Sequence, residues 1–126
     1  MAKYVDGFVL VVPKDKAEEY KKLAREGRDM WMKLGALGYY ECIGDDLVPQ
    51  EMDGMKPLAF TEMANANPDD TVWFSFIVFK SRKHRDEVNA KVMEEMQEYA
   101  EEYKDKHMPF DMKRMAYGGF EVAVEG

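Results

Sequence analysis

The stretch Thr71-Val72-Trp73-Phe74-Ser75-Phe76-Ile77-Val78-Phe79 constrains the fold more than any other part of this chain. Successive strand residues point to opposite faces, so Val72, Phe74, Phe76 and Val78 share one side and Trp73, Ser75, Ile77 and Phe79 the other. A half-solvated strand alternates apolar with polar residues. This one is apolar on both sides, so something must cover each. Tyr4 to Val12 has the same character: Val5, Val9 and Val11 on one side, Tyr4, Phe8, Leu10 and Val12 on the other, with Asp6 alone breaking the second face.

Pro13 ends the first strand. Asp15 then offers an N-cap, and Glu18 and Glu19 suit the positive end of a helix. The spacing of Ala17, Tyr20, Leu23, Ala24, Met30, Trp31 and Leu34 predicts an amphipathic helix closed by Gly35 at C′. Ala36 to Gly44 reads as a second strand. Asp45 to Asp70 reads as an irregular insertion or arm carrying Pro49, Gly54, Pro57 and the turn-rich Asn65 to Asp70; within it, Leu58 to Met63 fits a short helix or strand. After the third strand, Ser81 is a natural N-cap for a helix with the stripe Val88, Val92, Met93, Met96, Tyr99, Ala100 and Tyr103. Lys106 to Asp111 reads as a loop and Lys113 to Val124 as the last strand, where Gly118-Gly119 marks a bulge or a close backbone approach.

The length of 126 residues predicts one domain, 1–126. A net charge of −7 argues against a general nucleic-acid role, which needs a basic footprint. No run approaches the roughly 20 apolar residues of a membrane span, and the N-terminus lacks a signal-peptide pattern. The single cysteine, Cys42, reads as an inert buried thiol and fits a cytoplasmic setting. The eleven methionines are read mainly as core.

The order β-α-β, insertion, β-α-β is the split ferredoxin-like arrangement, an α+β fold with both helices on one face of an antiparallel sheet. In it the first and third strands are central, as their two-sided apolar character requires. The open face is expected to present Trp73, Ile77, Phe79, Phe8 and Leu10. Burying one large apolar side chain is worth about 1.5–3 kcal/mol, so such a face calls for a cover. A second copy related by a two-fold axis is the simplest one, giving a homodimer through the sheet face.

The segments Tyr4-Val5-Asp6-Gly7-Phe8-Val9, Glu41-Cys42-Ile43-Gly44-Asp45-Asp46, Phe74 to Arg82, His84 to Met93, and Met108 to Met115 followed by Gly118-Gly119-Phe120 resemble the YbaA-like family of bacterial proteins of unknown function. The resemblance runs over nearly the whole chain in the same order. It implies a dimeric α+β barrel, with no established activity, cofactor or catalytic residue. Haem-degrading branches of that superfamily use Trp, Asn and His; Trp73 and His84 invite the comparison, but His84 falls too early in its helix, and no haem role is carried over.

Among the residues themselves, Asp6 is the most suggestive acid. It reads either as a pocket base or, by preference, as a structural ion pair with Arg114, Lys80 or a partner subunit. Glu41 on an edge strand reads as solvated, with a catalytic role as the alternative. Tyr39 and Tyr40 must face opposite ways. Ser75 can hydrogen-bond a ligand or a backbone group. A ligand pocket is expected from Tyr4, Phe8, Trp73, Phe79 and Arg114. Lys80-Ser81-Arg82-Lys83-His84-Arg85 is the basic cluster. Ser81, Arg82, His84 and Arg85 could hold an anion at the helix start, although a solvated first turn is preferred. His84 and His107 lack metal-ligand spacing, so no metal or other cofactor is expected. The readings left open are a small-molecule-binding or accessory protein, a cofactor-independent monooxygenase- or isomerase-like enzyme acting on a small aromatic compound with Asp6 as base, and a protein-interaction module using the 45–70 arm.

Overall fold

The computed structural model describes residues 1–100 and 108–126. Tyr103 of the expected helical stripe, and Lys106 and His107 of the expected loop, lie outside the described residues. Four strands, β1 (Tyr4–Pro13), β2 (Gly38–Ile43), β3 (Asp70–Phe79) and β4 (Met115–Glu121), form one antiparallel sheet in the order β2-β3-β1-β4. The two strands that are apolar on both sides are therefore the central pair, and they hydrogen-bond along their full ten-residue lengths, from Tyr4 opposite Phe79 to Pro13 opposite Asp70. Helix α1 (Ala17–Lys33) follows β1 and helix α3 (Arg82–Glu98) follows β3, while a short helix α2 (Phe60–Met63) lies in the long connection between β2 and β3.

The ends of α1 follow from local chemistry. A 3-10 turn at Lys14–Lys16 intervenes after Pro13, so Asp15 sits inside that turn and makes no cap, contrary to the expectation from sequence. At the other end, Gly35 adopts φ +118°, a conformation costly for any side chain but glycine. The N–H of Ala36 donates to the Trp31 carbonyl (3.0 Å) and that of Gly35 to Met32 (3.3 Å), a Schellman closure. Ser81 caps α3 as anticipated, its hydroxyl accepting from the His84 N–H at 3.1 Å.

Both helices pack on the face formed by Tyr4, Asp6, Phe8, Leu10, Val12, Trp73, Ser75, Ile77 and Phe79. Near α3 the core joins Tyr4, Ile77 and Phe79 to Val88 and Val92; near α1 it joins Leu10, Val12 and Trp73 to Tyr20 and Ala24. This reverses the expected assignment of faces. Trp73, Ile77, Phe79 and Leu10 are buried rather than displayed, and Phe8 is half-buried against both clusters. Alternation divides a strand into two sets but cannot say which set meets the helices when both are apolar. The open face carries the other set. Tyr40, Phe74 and Phe120 are exposed there, while Val5, Val9 and Phe76 are partly covered. Tyr40 stacks on Phe76 with ring centroids 4.8 Å apart. One end of this face is closed: Val11 and Val72 are buried where the chain leaves β2, and the Gly44 N–H donates to the Val72 carbonyl at 2.7 Å.

Two further expectations are corrected. Cys42 is exposed, because β2 is an edge strand and residue 42 lies on its open side, opposite Phe74. None of the eleven methionines is fully buried, and most are exposed, including Met52, Met55 and Met63 of the arm. The β-branched and aromatic side chains of the central strands already fill the core, leaving the flexible methionines to the rims.

Candidate functional site

Between the sheet and the two helices lies a cavity of about 400 Å³. Its floor is the middle of β1, β2 and β3, represented by Phe8, Glu41, Ser75 and Ile77. Its walls come from α1 through Tyr20, Ala24, Met30 and Trp31, and from Met96 and Tyr99 at the end of α3; Phe110 and Met115 close it beyond. The tyrosine ring of Tyr20 stands edge-on to Trp73 (centroids 4.9 Å) and to Phe110 (5.6 Å), which fixes that wall. The lining is overwhelmingly apolar, a composition and size typical of small-molecule sites.

One polar constellation breaks it. Glu41 turns inward from the edge strand because its register partner is Ser75, on the helix-facing side of β3. Its Oε2 accepts hydrogen bonds from the Tyr20 hydroxyl (2.8 Å) and from the Ser75 hydroxyl, and its Oε1 accepts one from the Tyr39 hydroxyl (2.9 Å). The solvated Glu41 expected on an edge strand is thus replaced by a half-buried carboxyl with three hydroxyl donors. Burial, and then the charge and hydrogen bonding of Glu41, raise Tyr20 and Tyr39 well above the ordinary tyrosine range. Both phenols stay protonated at neutral pH and act as donors. Tyr39 and Tyr40 face opposite ways as foreseen, Tyr40 standing exposed at 53%.

Asp6 belongs to a different cluster and does not line the cavity. It is 1% exposed. Its Oδ2 accepts from the Asn89 amide (3.1 Å), while its Oδ1 lies 3.2 Å from Arg85 Nε. Asn89 in turn accepts from the Trp31 indole N–H (3.0 Å), and Arg85 donates to the Tyr4 hydroxyl (3.1 Å) with its guanidinium 4.8 Å from the Tyr4 ring centre. Burial pushes the Asp6 carboxyl up, opposed by the Asn89 hydrogen bond and the Arg85 charge. Asp6 is a buried ion pair that ties β1 to α3; its partner is Arg85 rather than Arg114 or Lys80. Gly119 makes room for this cluster. A Cβ there would run into the Arg85 guanidinium and the Tyr4 hydroxyl, so Gly119 marks a close approach, and the β1–β4 register continues through it.

The remaining expected site residues are scattered. Trp73 and Phe79 are core, with the Trp73 indole donating to the Thr71 hydroxyl (2.9 Å). Tyr4 serves Arg85. Arg114 pairs with Asp70 at 2.8 Å, and this pairing holds the Asp70 carboxyl below its usual range. Of the expected pocket residues only Phe8 lines the cavity, joined there by the candidate acid Glu41 and by Ser75. The basic cluster at the start of α3 is divided. The Ser81 hydroxyl is used as the cap, Arg85 turns inward to Asp6, and the His84 ring accepts from the Lys80 N–H (3.0 Å). Only Lys80, Arg82 and Lys83 stay exposed, so the anion cradle is not assembled. Among the described residues, no three His, Cys, Asp or Glu side chains group as metal ligands, and no helix is long and apolar enough to cross a membrane. Nothing local in the sequence marks Tyr20, Arg85 or Asn89 as partners of these acids. The i, i+2 spacing of Tyr39 and Glu41 was the one available signal, since it places both on one strand face.

The geometry defines an α+β protein with a largely apolar, partly open cavity between sheet and helices and the Glu41 carboxyl at its floor. Comparison with known proteins places it further: the family described as "Protein of unknown function (DUF1428)" matches residues 3–112. The chain is 41% identical over 125 residues to the protein "Uncharacterized protein YbaA" of Escherichia coli (strain K12), covering 98% of each chain, and equally to that of Shigella flexneri. The chain belongs to this family of bacterial proteins of unknown function.

Proposed function

We propose that this chain is a small-molecule-binding protein of the cytoplasm that works as a two-fold homodimer, a ferredoxin-like subunit within a dimeric α+β barrel. The observation that carries the binding reading is the cavity of about 400 Å³, largely apolar, with Glu26 and the hydroxyl-ringed Glu41 as its charged lining. An apolar body would be desolvated by the walls while one polar group meets the carboxyl. An oxygenase or isomerase using Asp6 as base finds no support, because that carboxylate is committed to Arg85 and Asn89 outside the cavity. The test is fluorescence enhancement of the neutral dye N-phenyl-1-naphthylamine. Saturable enhancement is expected and should be abolished by Met30→Trp, which fills the cavity, with circular dichroism unchanged. No enhancement with the native protein contradicts the reading.

The dimer reading rests on the open sheet face. Phe74, Tyr40 and Phe120 stand exposed beside Val5, Val9 and Phe76, and an apolar patch of this kind marks an interface. The arm adds exposed Val48, Met52, Met55 and Leu58, apolar side chains suited to reach over a partner. Light scattering should give twice the 14.7 kDa chain mass, and Phe74→Glu should halve it. A native protein that is monomeric at micromolar concentration overturns the dimer.

A further inference from the structure

We infer that the cavity takes an amphipathic amine, with its protonated nitrogen against Glu41 and an aromatic or aliphatic body along the apolar walls. This rests on the cavity being a ligand site, and names the chemistry of that ligand. The first observation is charge. Among the described residues, the formally charged side chains lining the cavity are Glu41 and Glu26, and no Lys, Arg or His joins them. An anionic ligand would meet like charge in a medium of reduced dielectric, where such repulsion is strengthened.

The second observation is the set of partners around Glu41. Its three neighbours are hydroxyls, which supply hydrogen bonds but no positive charge, and among the described residues it forms no salt bridge. An ionised carboxylate offers about four lone-pair sites. Two on Oε2 are taken by Tyr20 and Ser75; on Oε1 only Tyr39 donates. One acceptor site on Oε1 remains for a ligand. The hydroxyl oxygens of Tyr20 and Tyr39 donate to Glu41 and keep lone pairs of their own, so a primary ammonium with three N–H donors can address the carboxylate and both phenols together.

The third observation is the walls. Tyr20, Trp31, Tyr39 and Phe8 bring aromatic rings to the cavity, and the faces of such rings attract a cation. An alcohol could use the same acceptor site but would leave the carboxylate charge uncompensated. An ammonium satisfies both the hydrogen bond and the charge, and hydrogen bonds between charged groups are the stronger kind.

The test uses three ligands with one body: 2-(1-naphthyl)ethylamine, 2-(1-naphthyl)ethanol and 1-naphthylacetate, titrated into the native protein by calorimetry at neutral pH. The amine should bind at least about tenfold more tightly than the alcohol, the margin of a charge-assisted over a neutral hydrogen bond, and the carboxylate most weakly. Glu41→Gln should bring the amine down to the affinity of the alcohol while leaving the alcohol unchanged. Should that variant not fold, the ranking on the native protein decides alone. Equal binding of amine and alcohol, or tightest binding of the carboxylate, overturns the amine assignment and leaves the cavity reading standing. Failure of all three ligands also overturns the assignment; if N-phenyl-1-naphthylamine fails as well, the cavity reading falls with it.

Discussion

Replacing Arg85 by methionine isolates what holds Asp6 in the interior. The two groups lie 3.2 Å apart, with side-chain exposures of 2% for Asp6 and 19% for Arg85. Methionine keeps much of the apolar stem but removes the charge. Stripping one partner from a buried pair costs about 3–5 kcal/mol, and the lost hydrogen bond to Tyr4 adds up to about 1 kcal/mol. The partial water access of Arg85 favours the lower end, so a loss of about 3–4 kcal/mol is expected at neutral pH. The sign of its pH dependence follows from Asp6. With Arg85 gone, the folded carboxyl rises further above the unfolded value near 3.9, so the folded variant takes up a proton before the unfolded chain does. The deficit should therefore shrink as pH falls through the raised folded value, by up to about 1.4 kcal/mol per pH unit. Urea unfolding followed by Trp73 and Trp31 fluorescence, at neutral and mildly acidic pH, measures this directly. Asp6→Asn in the Arg85→Met background should recover more than half the loss. A deficit below about 1 kcal/mol, or one that does not change with pH, would refute the view that Arg85 compensates a buried charge.

Further consequences can be checked on the same apparatus. Gly119→Ala pushes a methyl into Tyr4 and Arg85 and should cost about 1–3 kcal/mol in urea unfolding, as overpacking does; a neutral substitution would mean the close approach is relieved without strain. Ser81→Ala removes the acceptor for the His84 N–H and should cost about 1 kcal/mol by thermal unfolding; an unchanged midpoint contradicts the cap. Tyr20 and Tyr39 keep their protons to higher pH in the folded state than in the unfolded chain, which ionises near pH 10. Stability should consequently fall above that pH by about 1.4 kcal/mol per unit for each tyrosine, and Tyr39→Phe should remove one share of the slope. A slope unaltered in that variant separates Tyr39 from the alkaline loss.

Much of the architecture can be traced to local pattern and backbone chemistry. Two strands apolar on both sides suit the centre of a sheet, because edge strands are commonly guarded by charged or polar residues; Tyr4–Pro13 and Asp70–Phe79 are central. Gly35 and Ser81 end and begin their helices where short-range hydrogen bonding requires. These features depend on residues within a few positions of one another, and such rules are visible in a linear string.

What tertiary structure alone decided is which apolar set meets the helices and which polar groups meet each other. Val9 and Phe74 are as apolar as Leu10 and Trp73, so alternation left the choice of face undetermined. The buried partners of Asp6 and Ser75 indicate how it was resolved. Asp6 reaches Arg85 and Asn89 on α3, and Ser75 reaches the Glu41 that Tyr20 of α1 also holds. On the opposite face both polar groups would lie away from those helices. The Glu41 constellation unites residues 20, 39, 41 and 75 from three elements, and the Asp6 cluster spans more than eighty positions along the chain. Composition and periodicity carry no record of such distances, because a hydrogen bond depends on separation in space and not on separation in sequence.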